Sequence, residues 1–464
     1  MTFEIAYVTI VKSAEISSGM MIKIILIFME GFMKKLVLTA FIIVVAGAFV
    51  FAGGGGQSGG KGTTITMWMQ NAGDDLNRQK QMMGELTSQF EKETGIKVEI
   101  EIGNWTEASQ KWMLVATGGD HPDVGDMWWC WSNVQIGKGK YGPMPLDKYK
   151  DQLHLDRFIP ASLADVNYQG SVYGIPWRID VRPMLYRVDL FQQAGIAAPP
   201  DTWDDLVTDG KKLTTKAADG RIDISGVGLG YGVKNDSQDF LHWIWQGGAE
   251  AMTEDAKTAT LDSQQVIDSM QFVRDLIYKH EVVTKDVLDP SYNGATLFAS
   301  GKSAIRPMGG STTSDFPPEM LAKIKPAIPT KGVRRTAYSG AGYFGVLYGS
   351  TKVDESVKWL EFLSSDASML QLAKMYQNFS PSKGASGDTY FAGDDWNREV
   401  IKCLEFAHTS QSPSAAWSQI AGRAPGSPIY DFWADVLLNK EPLPALAAKY
   451  NAQAQQMMDK ANAN

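Results

Sequence analysis

Cysteine is nearly missing from this 464-residue chain, which has Cys130 and Cys403 and no others. Two thiols cannot build a disulfide framework or a four-ligand zinc site, although one bridge between them stays open. Histidine is almost as scarce, with five scattered residues, and no nucleophile-bearing turn or base-oriented triad can be picked out. No Lys/Arg cluster stands out, and the formal net charge is −8. Without a basic patch to displace phosphate counterions, nucleic acid is excluded as a partner. Long apolar runs are missing too: the stretch 36–51 falls short of the roughly 20 residues a spanning helix needs. No motif calls for a cofactor or a metal.

What is present is an ordinary globular composition, 44% hydrophobic and 21% charged, in a chain long enough for two or three lobes. The N-terminal text gives the compartment. Met33-Lys34-Lys35, the apolar stretch 36–51, Ala52 and four glycines follow the charged, apolar and small-residue order of a secretory signal. Residues 33–52 are therefore expected to be a signal peptide cleaved after Ala52, a membrane anchor being the competing reading. No cysteine stands at that cleavage point, so the mature protein is expected to be free in the periplasm or outside the cell, not lipid-tethered. Residues 1–32 are unpatterned, and Met29-Glu30-Gly31 must be encoded by a purine-rich run of ribosome-binding character. They read as an upstream extension from a start site placed too early. Residues 53–62 form a Gly/Ser linker.

From residue 63 the pattern is α/β. A strand over 63–68, a helix ending at Gly95 and a strand over 96–102 make a strand–helix–strand unit, the builder of parallel sheets whose carboxyl-end loops are open to ligands. Further helices are expected over 105–117, 204–216, 263–280, 354–364 and 443–463, with a strand over 124–127. Pro199-Pro200 stops one element, and Thr202 is placed to cap the next, with Asp205 at its third position.

Several segments resemble, in order, the family 1 extracellular solute-binding proteins of bacterial ABC sugar importers. They are Ile65-Thr66-Met67-Trp68, the run Phe90 to Val98, Pro122-Asp123-Val124, Tyr173-Gly174-Ile175-Pro176, the run Tyr186 to Ile196 and Pro199 to Leu206, then Phe298 to Ala304 and Val357 to Leu363. The resemblance implies a two-lobed periplasmic-binding-protein fold with parallel-type sheets flanked by helices and a hinge between the lobes. It places the chain crossings near 178–182, 336–340 and 381–386. The N-terminal lobe would then be 63–178 with 338–380, and the C-terminal lobe 182–335 with 386–464. It also implies a monomer that captures a mono- or oligosaccharide by hinge closure and delivers it to a membrane permease.

A sugar site needs hydrogen-bonding groups for the hydroxyls and aromatic faces for the C–H surfaces. Trp128, Trp129 and Trp131 directly follow the strand ending at Met127, where ligand loops belong. Trp177, Arg178 and Asp180 lie on the first crossing. Asp180, six residues before Tyr186, matches by resemblance a carboxylate that accepts sugar hydroxyls, with a hinge ion pair to Arg178 or Arg182 as the alternative. Gln70 and Asn71 follow the first strand. Ser311 stands where relatives often carry a stacking tryptophan, so Trp243 or Trp245 could supply that ring. Trp433 resembles another stacking position, and Trp417 is a weaker candidate. The competing functions are a binding protein for a polyamine or amino acid, using Arg178 and Asp180, and a secreted glycosidase using Asp126 with Asp180. Gly340 to Gly345 fits G-x-G-x-x-G, but a strand-like run follows it where a dinucleotide site needs a helix. Gly301-Lys302-Ser303 lacks the upstream glycine of a phosphate loop.

Overall fold

The computed structural model describes residues 62–464 except 72–75, 231, 233–236, 311–315, 377–378, 423 and 464. The expected extension 1–32, the signal 33–52, nearly all of the linker and Ser311 lie outside the described residues.

Thirteen strands are described. They are β1 (Thr64–Gln70), β2 (Lys97–Gly103), β3 (Val124–Met127), β4 (Asn167–Tyr168), β5 (Ser171–Val172), β6 (Ile175–Val181), β7 (Met184–Arg187), β8 (Thr215–Lys216), β9 (Ile222–Val227), β10 (Ser303–Arg306), β11 (Ile324–Ala327), β12 (Ala337–Val346) and β13 (Ala407–Thr409). Two sheets organise the protein. The first has the order β13-β12-β3-β1-β2, with β6 also paired to β12; the second has the order β11-β7-β10-β9-β8.

Side-chain alternation builds the first sheet. In β1 it turns Ile65, Met67 and Met69 inward. The helix Leu76–Thr94 then buries Gln79, Met83, Leu86 and Phe90, one face at helical spacing, and the chain turns at Gly95 with φ 73. β1 pairs in parallel with β2 and β3, while β12 runs antiparallel to β3 and β6. In the second sheet only β9 and β10 are parallel. Both sheets are thus mixed: in the first, β12 also pairs in parallel with β13, which leaves the antiparallel pairing to β12 with β3 and β6, and the second has one parallel pair.

Helices cover these sheets, as expected. The predicted cap forms in full: Thr202 Oγ1 accepts from Asp205 N at 3.1 Å while Thr202 N donates to Asp205 Oδ2 at 3.0 Å, starting the helix Trp203–Leu213. The Gly340–Gly345 motif lies inside β12, with no helix opening from it, so the dinucleotide pattern is coincidental. Among the described residues no helix is long and apolar enough to cross a membrane. Cys130 and Cys403 are free thiols buried in different apolar clusters, which closes the question of a bridge.

Within the first sheet β12 makes the most pairings. One end of β12 pairs with β13, its middle with β6 and its far end with β3. Arg182 N donates to Tyr338 O at 2.9 Å and Ile179 N to Phe379 O at 3.1 Å. Residues 178–182 and 336–340, two of the segments expected to carry crossings, pair with each other along β6 and β12. β13 joins the first sheet, although the resemblance assigns all of 386–464 to the second lobe.

Candidate ligand-binding site

β3 delivers its loop at the carboxyl end of a parallel strand, the edge where α/β sheets present ligands. Met127 ends the strand and Trp129 caps the helix Cys130–Gly137 with φ 54 and ψ 53. A bulky residue in the left-handed region is strained by about 1–2 kcal/mol, a cost that clusters at functional positions. The turn throws the Trp129 ring against the apolar core beneath the second sheet. Trp128 meets it edge-on, with ring centroids 6.1 Å apart. Trp128 and Trp131 instead lean on the first sheet's own cluster; Trp131 donates Nε1–H to Asn167 O at 3.0 Å. Of the three tryptophans, Trp129 is the one that reaches from one half to the other.

Beside this loop lies a polar node. Asp126 Oδ1 accepts from Trp177 Nε1 at 2.8 Å, and Gln70 Nε2 donates to Asp126 O at 3.0 Å. Gln70 O in turn accepts from Gln79 Nε2 at 2.8 Å and from the Tyr376 hydroxyl at 3.0 Å. Burial pushes the Asp126 carboxyl up to about 6, against the pull of the Arg178 charge and the Trp177 bond. Among the described residues Gln70 Oε1 has no hydrogen-bond partner, although Gln70 is buried.

β6 sorts its side chains by alternation. Trp177, Ile179 and Val181 turn inward, whereas Arg178 and Asp180 share the partly exposed face. Arg178 also lies over the Trp177 ring, 5.0 Å from its centroid. Asp180 is engaged by Arg182 Nη2 at 2.6 Å, so the alternative of a hinge ion pair is realised with Arg182. Asn71 holds the end of the sheet through its N–H to Gly103 O at 2.8 Å and is partly exposed.

Three of the candidate tryptophans are enclosed by the fold. Trp177 is fully buried, stacked on Phe344 at 5.1 Å with Tyr376 edge-on at 4.4 Å, so it supports Asp126 and offers no open face. Trp243 packs among Trp203, Phe272 and His242 because every residue of its helix, Gln238–Gln246, is buried. Trp433 is fully buried and donates Nε1–H to Gly232 O at 2.8 Å. These corrections have one cause: tertiary neighbours cover the rings from both sides. Trp245 sits at the crossing between Tyr338 and His408, its centroid 4.2 Å from the His408 ring, and Trp417 donates to Ser410 O at 3.0 Å. The structure therefore groups Gln70, Trp177 and Arg178 around Asp126, with Trp129 beside the second core. Gln79 and Tyr376 were missing from the expected site, and Asp126 entered only through the glycosidase alternative; an aspartate inside an otherwise apolar strand was the one available signal.

Comparison with known proteins gives three kinds of match. The model of the family described as bacterial extracellular solute-binding protein matches residues 73–370. A binding protein of Brucella abortus is 29% identical over 200 residues, 42% of this chain and 46% of that protein, so the chain spans about half the length of this relative. The diacetylchitobiose-binding protein of Streptomyces coelicolor is 24% identical over 336 residues, 69% of this chain and 73% of its own. Among solved structures, maltose-bound MalE3 of T. maritima superposes with a TM-score of 0.70 at 21% identity, covering 85% of this chain and 99% of that one. The fold is thus the two-lobed α/β fold of periplasmic binding proteins.

Proposed function

Because the chain belongs to the bacterial extracellular solute-binding proteins, we propose that it captures a carbohydrate between its two lobes and hands it to an ABC importer. The observation that carries this reading is Trp129, held in a strained left-handed turn at the carboxyl end of β3 and set against the core of the other lobe. Such a ring can cover the apolar face of a sugar while Arg178, Asn71 and the Asp180–Arg182 pair meet its hydroxyls. Relatives named for diacetylchitobiose and maltose support the ligand class. Ligand binding across the two lobes would favour the closed arrangement in proportion to its preference for that state, the hinge lying in β6, β12 and β13.

The family is one of binding proteins, and no catalysis is assigned. Asp126 and Asp180, the carboxylates a glycosidase reading would use, are engaged by Trp177 and by Arg182. The stretch 33–52 is assigned as the cleaved signal, releasing a free monomer. Small-angle scattering with and without saturating maltose, diacetylchitobiose and arabino-oligosaccharides tests the proposal. Compaction with one of them is expected, and an unchanged profile with a sugar that binds would refute hinge closure.

A further inference from the structure

Arg306 ends β10, and among the described residues neither its Nε nor its Nη1 has a hydrogen-bond partner, although the residue is only 5% exposed. Arg187, equally buried one strand away, shows the contrast. Its Nε and Nη2 donate to the Asp189 carboxylate at 2.9 and 2.6 Å, and its Nη1 to Phe298 O at 3.3 Å. A buried guanidinium with unmet N–H groups is costly to fold around unless an acceptor from outside the chain meets them.

The position suggests which acceptor. β9 and β10 are the parallel pair of the second sheet, and the crevice beyond their carboxyl ends is where such sheets take ligands. The loop leaving β9 is pinned there: Gly230 N donates to Asp239 Oδ2 at 2.9 Å, Tyr292 donates its hydroxyl to Leu229 O at 3.0 Å, and Trp433 Nε1 donates to Gly232 O. Burial raises the Tyr292 phenol, the Asp239 charge adds to the rise and the Arg306 charge opposes it, so both charges act on one hydroxyl. Asp239 places a carboxylate on this same loop, so an anionic ligand reaching Arg306 would also approach a negative charge.

We propose that Arg306 is a specificity-determining residue of the second lobe, donating Nε–H and Nη1–H to two neighbouring oxygens of a neutral carbohydrate and selecting it over an acidic one. This rests on the sugar-binding reading. The test is calorimetric titration of the full chain with maltose, diacetylchitobiose and arabinobiose as neutral probes and digalacturonate as the acidic probe, in wild type, Arg306→Met and Arg306→Lys. The wild type should bind a neutral probe more tightly than digalacturonate. Arg306→Met should weaken that binding by about 10- to 100-fold without lowering the unliganded melting temperature, since it removes unmet donors. Arg306→Lys, which keeps the charge and loses the planar fork, should also weaken it and serves if the methionine variant does not fold. Binding of the neutral probe within twofold of wild type in the folded variant overturns the proposal, as does tighter wild-type binding of digalacturonate. A wild type that binds none of the four overturns the sugar reading itself.

Discussion

Replacing Asp126 with asparagine should flatten the pH dependence of stability in a calculable way. The carboxyl is fully buried and pushed from its ordinary 3.8 to about 6. At about 1.4 kcal/mol per pH unit, that gap makes the ionised form about 3 kcal/mol less favourable in the folded than in the unfolded protein. Because the folded pKa is raised, Asp126 is harmless below about pH 4, and stability is lost as pH rises through 6. Asparagine has no such titration. Its amide would face Gln70 N, which now lies 3.4 Å from Asp126 Oδ2, but that penalty is the same at every pH. The advantage of Asp126→Asn over wild type should therefore grow by about 3 kcal/mol between pH 4 and pH 8. With an unfolding entropy of about 2.1 cal/mol/K per residue over roughly 400 residues, this amounts to about 4 °C in melting temperature. Thermal unfolding of both proteins at half-unit pH intervals measures it, and parallel profiles across the range would refute the buried-carboxylate account. Asp165, also raised to about 6 by burial and held by Thr409 Oγ1 at 2.7 Å, should behave alike when changed to asparagine.

Three further outcomes follow from the packing. Trp129→Gly, which suits the left-handed turn, should leave the melting temperature within about 2 °C yet lower sugar affinity at least about tenfold by calorimetry, since the face is lost and the turn is kept. Thr202→Ala should cost about 1 kcal/mol of stability, seen as a lowered thermal midpoint, with ligand affinity unchanged because the capping box lies on a helix outside the site. Thiol titration of the native protein should label neither cysteine, and both should react after denaturation, since burial raises Cys130 strongly and Cys403 to about 12.

Local chemistry was legible in the sequence. Thr202 and Asp205 announce their cap because the partners are three residues apart, and the position of Gly340–Gly345 in a strand-like run gave away its irrelevance. The strands near 63–68, 96–102 and 124–127 and the longer helices could be read from their own periodicity, whereas short strands such as β7 and β10 could not. What covers a side chain could not. Trp177, Trp243 and Trp433 were chosen for residue type and position, yet Phe344, Trp203 and the loop at Gly232 enclose them from distant parts of the chain. The bond from Tyr376 to Gln70 O spans 306 positions and leaves no mark in either local sequence. Arg306 was invisible for the opposite reason: its interest lies in partners it lacks, which only the packed protein reveals.

The central claim is capture of a carbohydrate, and the most direct measurement is the melting temperature of the protein against sugars, amino acids and polyamines. A ligand at 100 times its dissociation constant adds about 2.7 kcal/mol to stability, or about 3 °C for a protein of this size. A shift of that size with one class of neutral sugar, and none with amino acids or polyamines, is the predicted result. A shift with a polyamine or an amino acid, and none with any sugar, would leave the fold standing and contradict the assigned ligand.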